Sequence, residues 1–159
     1  MIDFHDIGFF REWITGTFNY QANHRKFKNI IINNDLSYTN YDGTDSIGLV
    51  AQGGVMVGMI SDDNLKIDGA LMAQHNKVGR FFYSGSGCTY GHRSIISLYG
   101  MIASYSRYGF AFVDSHGNFS SGYVTRNINY DANLLYAPPP EFPLTSDQYQ
   151  ILSWQEVKN

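Results

Sequence analysis

The sequence predicts an all-β fold: a short, irregular, single-stranded parallel β-solenoid (β-helix-like) with an N-terminal cap and an extended Pro-rich C-terminal segment. Three observations carry that expectation. The first is composition. The 159 residues include 12 Tyr, 11 Phe and 16 Gly, and only 16% are charged, against roughly a quarter in an average globular protein. A chain rich in Tyr, Gly and Asn and poor in charge is typical of β-rich extracellular material. The second is a degenerate repeat of short apolar runs. The third is the punctuation of those runs by Gly, Asn and Asp, which marks strands rather than helices.

Four segments share the pattern of an apolar run, an amide or small polar residue, and a turn-prone pair. They begin at Ile30, Leu49, Leu71 and Met101. The runs are too short for helices, and Gly, which costs about 1 kcal/mol in a helix interior relative to Ala, lies in or beside the last three. Ile67-Asp68-Gly69-Ala70-Leu71 also aligns with Leu98-Tyr99-Gly100-Met101-Ile102, a step of 31 residues. A repeat of this kind suits stacked strands, with Gly48, Gly69, Gly100, Ala51, Ala73 and Ala103 letting neighbours approach. Asn33, Gln52 and Gln74 fall at equivalent places, where amide side chains could bond from one strand to the next.

A single domain is expected over residues 1–159. Residues 1–27 form a cap, with weak helical periodicity from Ile7 to Tyr20. Residues 28–115 form the coils, right-handed by general preference. Residues 116–159 form a C-terminal coil and an extended tail. Within the coils, 79–93 reads as an inserted loop, combining Phe81, Phe82 and Tyr83 with Gly85-Ser86-Gly87. Ala137-Pro138-Pro139-Pro140 must be extended and is expected to run across the coils, and Leu152–Val157 reads as a short apolar strand or tail.

Charge and cysteine narrow the function. A net charge of −3, with no basic run beyond His24–Lys28, argues against nucleic acid. The lone Cys88 makes no intrachain disulfide. No stretch suits a transmembrane helix, and the first residues have neither a basic nor an apolar signal region.

The chemistry-bearing residues point away from catalysis. The five histidines, His5, His24, His75, His92 and His116, have no zinc-site spacing. Cys88 and His92 could meet, but read more simply as a loop thiol beside a surface imidazole. Gly85-Ser86-Gly87 matches neither a hydrolase elbow nor a dinucleotide fingerprint. Asp42 with Asp45, and Asp62 with Asp63, sit in turns, where Asp bonds the backbone; Asp62-Asp63-Asn64 could also offer oxygens to calcium. Asn118-Phe119-Ser120 is a formal sequon. No catalytic residue, metal or cofactor is expected. The expected interaction surface is aromatic: Phe81, Phe82, Tyr83, Tyr90, Tyr105 and Tyr108. Such residues anchor protein interfaces, stack on sugars, or simply close a core.

Gly48-Leu49-Val50-Ala51-Gln52, Asp63–Gln74, Leu98–Ser104, Tyr108–Ala111 and above all Asn129-Tyr130-Asp131-Ala132-Asn133-Leu134-Leu135-Tyr136-Ala137-Pro138-Pro139-Pro140-Glu141-Phe142-Pro143 resemble uncharacterised bacterial PilX-type, minor-pilin-like surface proteins. The resemblance spans roughly residues 28–156. It implies correspondence to the β-rich region that follows such proteins' N-terminal helix. It further implies an extracellular or cell-surface location and a structural or adhesive role, with protein partners or self-assembly in an envelope structure. A carbohydrate-binding or carbohydrate-cleaving protein is the competing expectation.

Overall fold

The structure, a computed structural model, describes residues 27–84, 89–140 and 142. These hold eight strands: β1 (Ile30–Ile32), β2 (Gly48–Ala51), β3 (Val55–Val57), β4 (Asn64–Ala73), β5 (Val78–Arg80), β6 (His92–Ser104), β7 (Ala111–Val113) and β8 (Phe119–Tyr130). A single 3-10 turn, Ala132–Leu135, follows. β1, β3 and β5 form one parallel sheet, and β2, β4, β6, β8 and β7 form a second, in that order.

Strands dominate, but the expected single-stranded parallel solenoid is corrected. The larger sheet is mixed, because β7 pairs antiparallel with β8. The cause is a local reversal at Asp114–Asn118. Asp114 Oδ1 accepts the backbone N–H groups of His116 and Asn118, at 2.8 and 2.9 Å. Gly117 supplies the left-handed residue at φ 84°. An Asx-type turn closed this tightly returns the chain on itself instead of crossing to the other sheet.

The alignment of the later repeats matches the pairing: Leu49 lies opposite Leu71 and Leu71 opposite Ile102. The first run departs from it, since Ile30 pairs with Val55 in the smaller sheet. Gln52 and Gln74 are exposed after β2 and β4 while Asn33 follows β1 in the other sheet, so the three amides form no single column. The expected cap at 1–27 lies outside the described residues apart from Phe27, as does the expected segment at 152–157.

The main core lies between the two sheets. Val55, Val57 and Val78 meet Leu49, Leu65, Ile67, Leu71, Ile96 and Leu98, all buried. Each such side chain contributes roughly 1.5–3 kcal/mol by leaving water. Parallel pairing aligns the core into columns. Leu36, Ile67, Leu98 and Ile128 are successive neighbours in one column. Leu65, Ile96 and Arg126 form the next. Arg126 thus ends an apolar column with a charge, and its Nη1 turns back to the carbonyls of Tyr123 and Val124 at 2.7 and 2.8 Å. A smaller cluster on the far face of the larger sheet joins Ala70, Leu134 and Phe142. Pro139 and Phe142 press against Gly48 there, where a Cβ would meet them at 3.0 and 3.1 Å. The Pro-rich segment therefore crosses the strands rather than joining them.

The tightest approach in the larger sheet is Gly69 against Gly100. These are paired residues of β4 and β6, at φ 145° and 153°. A Cβ on Gly100 would lie 1.9 Å from the Gly69 carbonyl oxygen. Only glycine fits both the backbone angle and the space. Gly100→Ala is expected to cost about 3 kcal/mol or more, read as a lower denaturation midpoint. An unchanged midpoint would show that β6 can shift without loss.

Candidate interaction surface

The aromatic segment is organised from beneath by Arg80, the last residue of β5. Its side chain is fully buried. Nη1 donates to the Gly91 carbonyl at 3.2 Å, and Nη2 to the carbonyls of Tyr90 at 2.7 Å and Met59 at 3.1 Å. The guanidinium carbon sits 4.7 Å from the Tyr83 ring centroid and 5.7 Å from that of Tyr123. A buried cation is costly unless its donors are engaged. Here carbonyl dipoles and ring faces replace water. Tyr123, also buried, donates its hydroxyl to the Asp62 carbonyl at 2.7 Å and lies 2.9 Å from Ser61 Oγ. Burial raises its pKa, an effect that Ser61 and the Arg80 charge oppose. Ser121 Oγ accepts from the Tyr83 N–H at 3.2 Å and lies 2.9 Å from the Tyr83 carbonyl and 3.1 Å from that of Gly91.

Gly79 and Arg80 are thus strand residues, and His92 and Arg93 already belong to β6. The connecting segment proper runs from 81 to 91, with 85–88, including Cys88, outside the described residues. His92 Nε2 lies 2.9 Å from the Ser120 carbonyl, and its ring meets Phe119 edge-on at 5.0 Å.

Four of the six expected surface residues gather on this segment. Phe81 and Tyr83 meet edge to face at 6.5 Å between centroids. Phe82 meets Phe112 of β7 in the same way at 5.3 Å, with Lys77 Nζ 5.1 Å from the Phe112 ring. Tyr90 carries the Arg93 guanidinium at 5.1 Å. Phe81, Phe82 and Tyr90 keep 40–51% of their surface exposed. Tyr105 and Tyr108 stand apart, on the turn after β6. Tyr105 projects into solvent at 78% exposure. Tyr108 lines a shallow cleft of about 270 Å³ with Leu98, Met101, Ile102, Ile128 and Tyr130.

The sequence reading missed Arg80, Phe112 and the cleft. A signal for Arg80 was present: a lone arginine between Val78-Gly79 and Phe81-Phe82, where a surface residue would sit in a polar run. The cleft had no local signal, since it joins β6, β8 and the turn between β6 and β7.

The carboxylates are held by backbone and hydroxyl groups. Asp45 Oδ2 accepts the N–H groups of Thr39 and Asn40, each at 2.7 Å. Asp42 Oδ1 accepts from Thr44 Oγ1 at 2.6 Å, which lowers the carboxyl pKa. Asp63 accepts from the Ser94 hydroxyl at 2.5 Å and amide at 3.0 Å; the hydroxyl bond is the main cause of its lowered pKa. These bonds engage both carboxylate oxygens of Asp63, one of the three residues Asp62-Asp63-Asn64 expected to offer oxygens to calcium.

A second polar cluster involves carboxylates that the sequence reading did not pair. Asp68, fully buried on β4, accepts from the Tyr38 N–H at 3.0 Å and the Tyr41 hydroxyl at 2.5 Å, with Lys66 Nζ 3.3 Å away. Lys66 also donates to the Tyr41 hydroxyl, and that bond is the largest cause of its raised pKa. Asp131 accepts from Tyr99 at 3.1 Å and from the Asn133 N–H at 2.9 Å, capping the 3-10 turn. Tyr38 lies between the two carboxylates, and its pKa is pushed above the usual phenol range, by burial first and by the Asp131 charge next; the Ile47 amide opposes the rise.

Among the described residues, no three His, Cys, Asp or Glu side chains come together as a metal site. No described helix is long and apolar enough to cross a membrane. No protein-family model, curated protein or solved structure matches the chain.

Two outcomes follow from this geometry. Arg80→Met removes the donor to three carbonyls and is expected to cost about 3 kcal/mol. It should also flatten the near-ultraviolet dichroism of the tyrosines; an unaltered spectrum and denaturation midpoint would remove Arg80 from its organising place. The second outcome concerns pH. Tyr38, Tyr99, Tyr123 and Lys66 all hold their protons to higher pH in the folded chain. The unfolded chain therefore binds fewer protons once pH passes about 10, and stability falls as pH rises further. Tyr38→Phe should leave stability at neutral pH within about 1 kcal/mol and lessen that alkaline fall, measured by urea denaturation at both pH values. An equal alkaline fall in the variant would exclude Tyr38 as a source.

Proposed function

We propose that the chain is a non-catalytic structural or adhesive module of a bacterial cell-surface or pilus-associated assembly. The observation that carries this reading is the group of exposed rings, Phe81, Phe82 and Tyr90, fixed on a strand-built base by a buried arginine. Exposed aromatics held in place lose little further freedom on binding, which suits them to anchor a partner. The resemblance to minor-pilin-like surface proteins points the same way, to protein partners at the cell surface. The fate of the carboxylates adds support: Asp42, Asp45 and Asp63 hold turns and strand ends, and Asp68 and Asp131 tie loops to the larger sheet.

A carbohydrate site is the second reading. It draws on Lys66 and Tyr41, part-exposed above buried Asp68 and with Lys66 4.9 Å from the Tyr41 ring. The edge-to-face geometry of Phe82 and Phe112 favours a protein contact over a sugar, which stacks best on an open ring face.

The test compares the chain with a Phe82→Ser/Tyr90→Ser variant, on immobilised bacterial envelope protein and on immobilised glycans. Retention on protein, weakened about tenfold or more in the variant, is expected. Saturable glycan binding lost in a Tyr41→Phe/Lys66→Met variant would shift the function to carbohydrate. Equal retention of wild type and the aromatic variant would overturn the aromatic surface.

A further inference from the structure

The cleft at Tyr108 lies beside a length of β6 that the larger sheet pairs on one side only. β4 runs beside β6 as far as Ser104, but β8 accompanies β6 only to the pair Gly100 and Tyr130. Beyond it, Asp131 donates its N–H to the Gly100 carbonyl at 3.1 Å, and the chain turns away into the 3-10 turn. In a parallel ladder, successive residues address opposite neighbours. The Tyr105 N–H bonds the Ala73 carbonyl on the β4 side, so residue 105 and, by alternation, 103 and 101 face β4. Gly100 and Ile102 face the other way. Among the described residues no backbone group reaches the Ile102 amide or carbonyl on that side. The result is an open slot along this edge of β6, adjoining the shallow cleft lined by Leu98, Met101, Ile102, Tyr108, Ile128 and Tyr130.

The three strands that already occupy this level of the sheet define what fits beside them. They place Gly48-Leu49-Val50-Ala51, Ala70-Leu71-Met72-Ala73 and Met101-Ile102-Ala103-Ser104 in register. The second position is aliphatic each time and points into the main core, where Leu49 and Leu71 are buried and Ile102 packs against them. The last position is small each time, and none of the twelve residues is charged. The column Leu49, Leu71, Ile102 stops at a side chain that is only partly buried.

We propose that this slot binds an extended, uncharged segment of a partner protein, added parallel to β6 as a further strand, with an aliphatic residue seated over Ile102. Strand addition supplies affinity through main-chain bonds and selectivity through alternate side chains. The slot is open only beyond Gly100. Toward the other end of β8, Arg126 turns its charge across the carbonyls of Tyr123 and Val124, a device that discourages pairing along that edge. Because β8 already pairs β6 as far as Gly100, the partner strand is confined to the level of Met101–Ser104. The proposal names a partner chemistry for the surface-module reading above and rests on it, while using residues distinct from the aromatic segment.

The probe is a blocked synthetic peptide with the sequence of residues 47–52, Ile-Gly-Leu-Val-Ala-Gln, titrated into the full chain and followed by amide chemical shifts. Saturable shifts centred on Met101–Ser104 and Tyr130 are expected. They should weaken about tenfold or more when lysine replaces leucine in the peptide, or when the chain carries Tyr108→Lys. The Tyr108 side chain is half exposed in the adjoining cleft, so its replacement should leave folding intact, checked by an unchanged denaturation midpoint. No saturable shift, or equal binding of the lysine peptide, would overturn the slot. Concentration-dependent oligomerisation of the chain alone, abolished by Tyr108→Lys, would seat a second copy there and overturn a separate partner. Loss of peptide binding with aromatic-dependent retention on envelope protein intact would remove the slot and leave the surface-module reading standing.

Discussion

A buried guanidinium sets the terms for much of the molecule. Arg80 is the end of a strand, yet its side chain reaches three carbonyls from two connections, the one after β3 and the one before β6. Loops that leave a sheet expose backbone groups that must find partners. A hydrophobic residue at this position could bury as much apolar area but would leave those carbonyls without donors. The cation therefore joins the smaller sheet to the start of β6, and its two flanking rings, Tyr83 and Tyr123, link it to the aromatic segment and to β8. The aromatic surface is in this sense the outer layer of a polar core.

The far face of the larger sheet is organised by the complementary device, buried anions. Asp68 and Asp131 are both almost wholly removed from solvent. Asp68 takes the Tyr38 N–H and the Tyr41 hydroxyl from a segment lying over the strands, and Asp131 joins the Tyr99 hydroxyl of β6 to the Asn133 N–H of the 3-10 turn. The segment containing Tyr38 and Tyr41 is pinned by the first and the 3-10 turn by the second. Three tyrosine rings meet between them, Tyr99 edge to face with Tyr38 and Tyr41 and the latter two tilted against each other, with centroids 5.6–6.3 Å apart. The high tyrosine content thus has an architectural role, since a phenol can close an apolar surface and still satisfy a buried carboxylate.

Strand dominance and part of the strand pairing were legible in the sequence, and the limits have physical causes. The pairing of β4 with β6 could be read from Gly69 and Gly100, because a glycine forced by close backbone approach recurs at the same place in both strands, and that of β2 with β4 from the matched runs at Leu49 and Leu71. The aromatic surface was legible because Phe81, Phe82, Tyr83 and Tyr90 cluster within one connection. The reversal between β7 and β8 was missed, although Asp114-Ser115-His116-Gly117-Asn118 carries turn chemistry; the repeat pattern alone predicts onward crossing. The first apolar run was assigned to the same set as the others because Ile30–Ile32 differs from β2 in its sheet, not in its residue types. The Asp68 and Asp131 cluster was invisible for a different reason: its members are brought together across 27–32 residues by strand pairing.

Arg126 bears on how such a chain can change length. The columns Leu36, Ile67, Leu98, Ile128 and Leu65, Ile96, Arg126 run side by side with spacings near 31 residues. A tandem duplication of one such unit would be the simplest way to lengthen the sheet, and Ile128 would accept it. Arg126 would not, since added strands would enclose its charge among aliphatic side chains. Growth by internal duplication therefore has to enter before β8 or replace Arg126 at the same step. A single residue at the open end of a core column acts as a stop on the growth of the sheet as well as a guard on its edge.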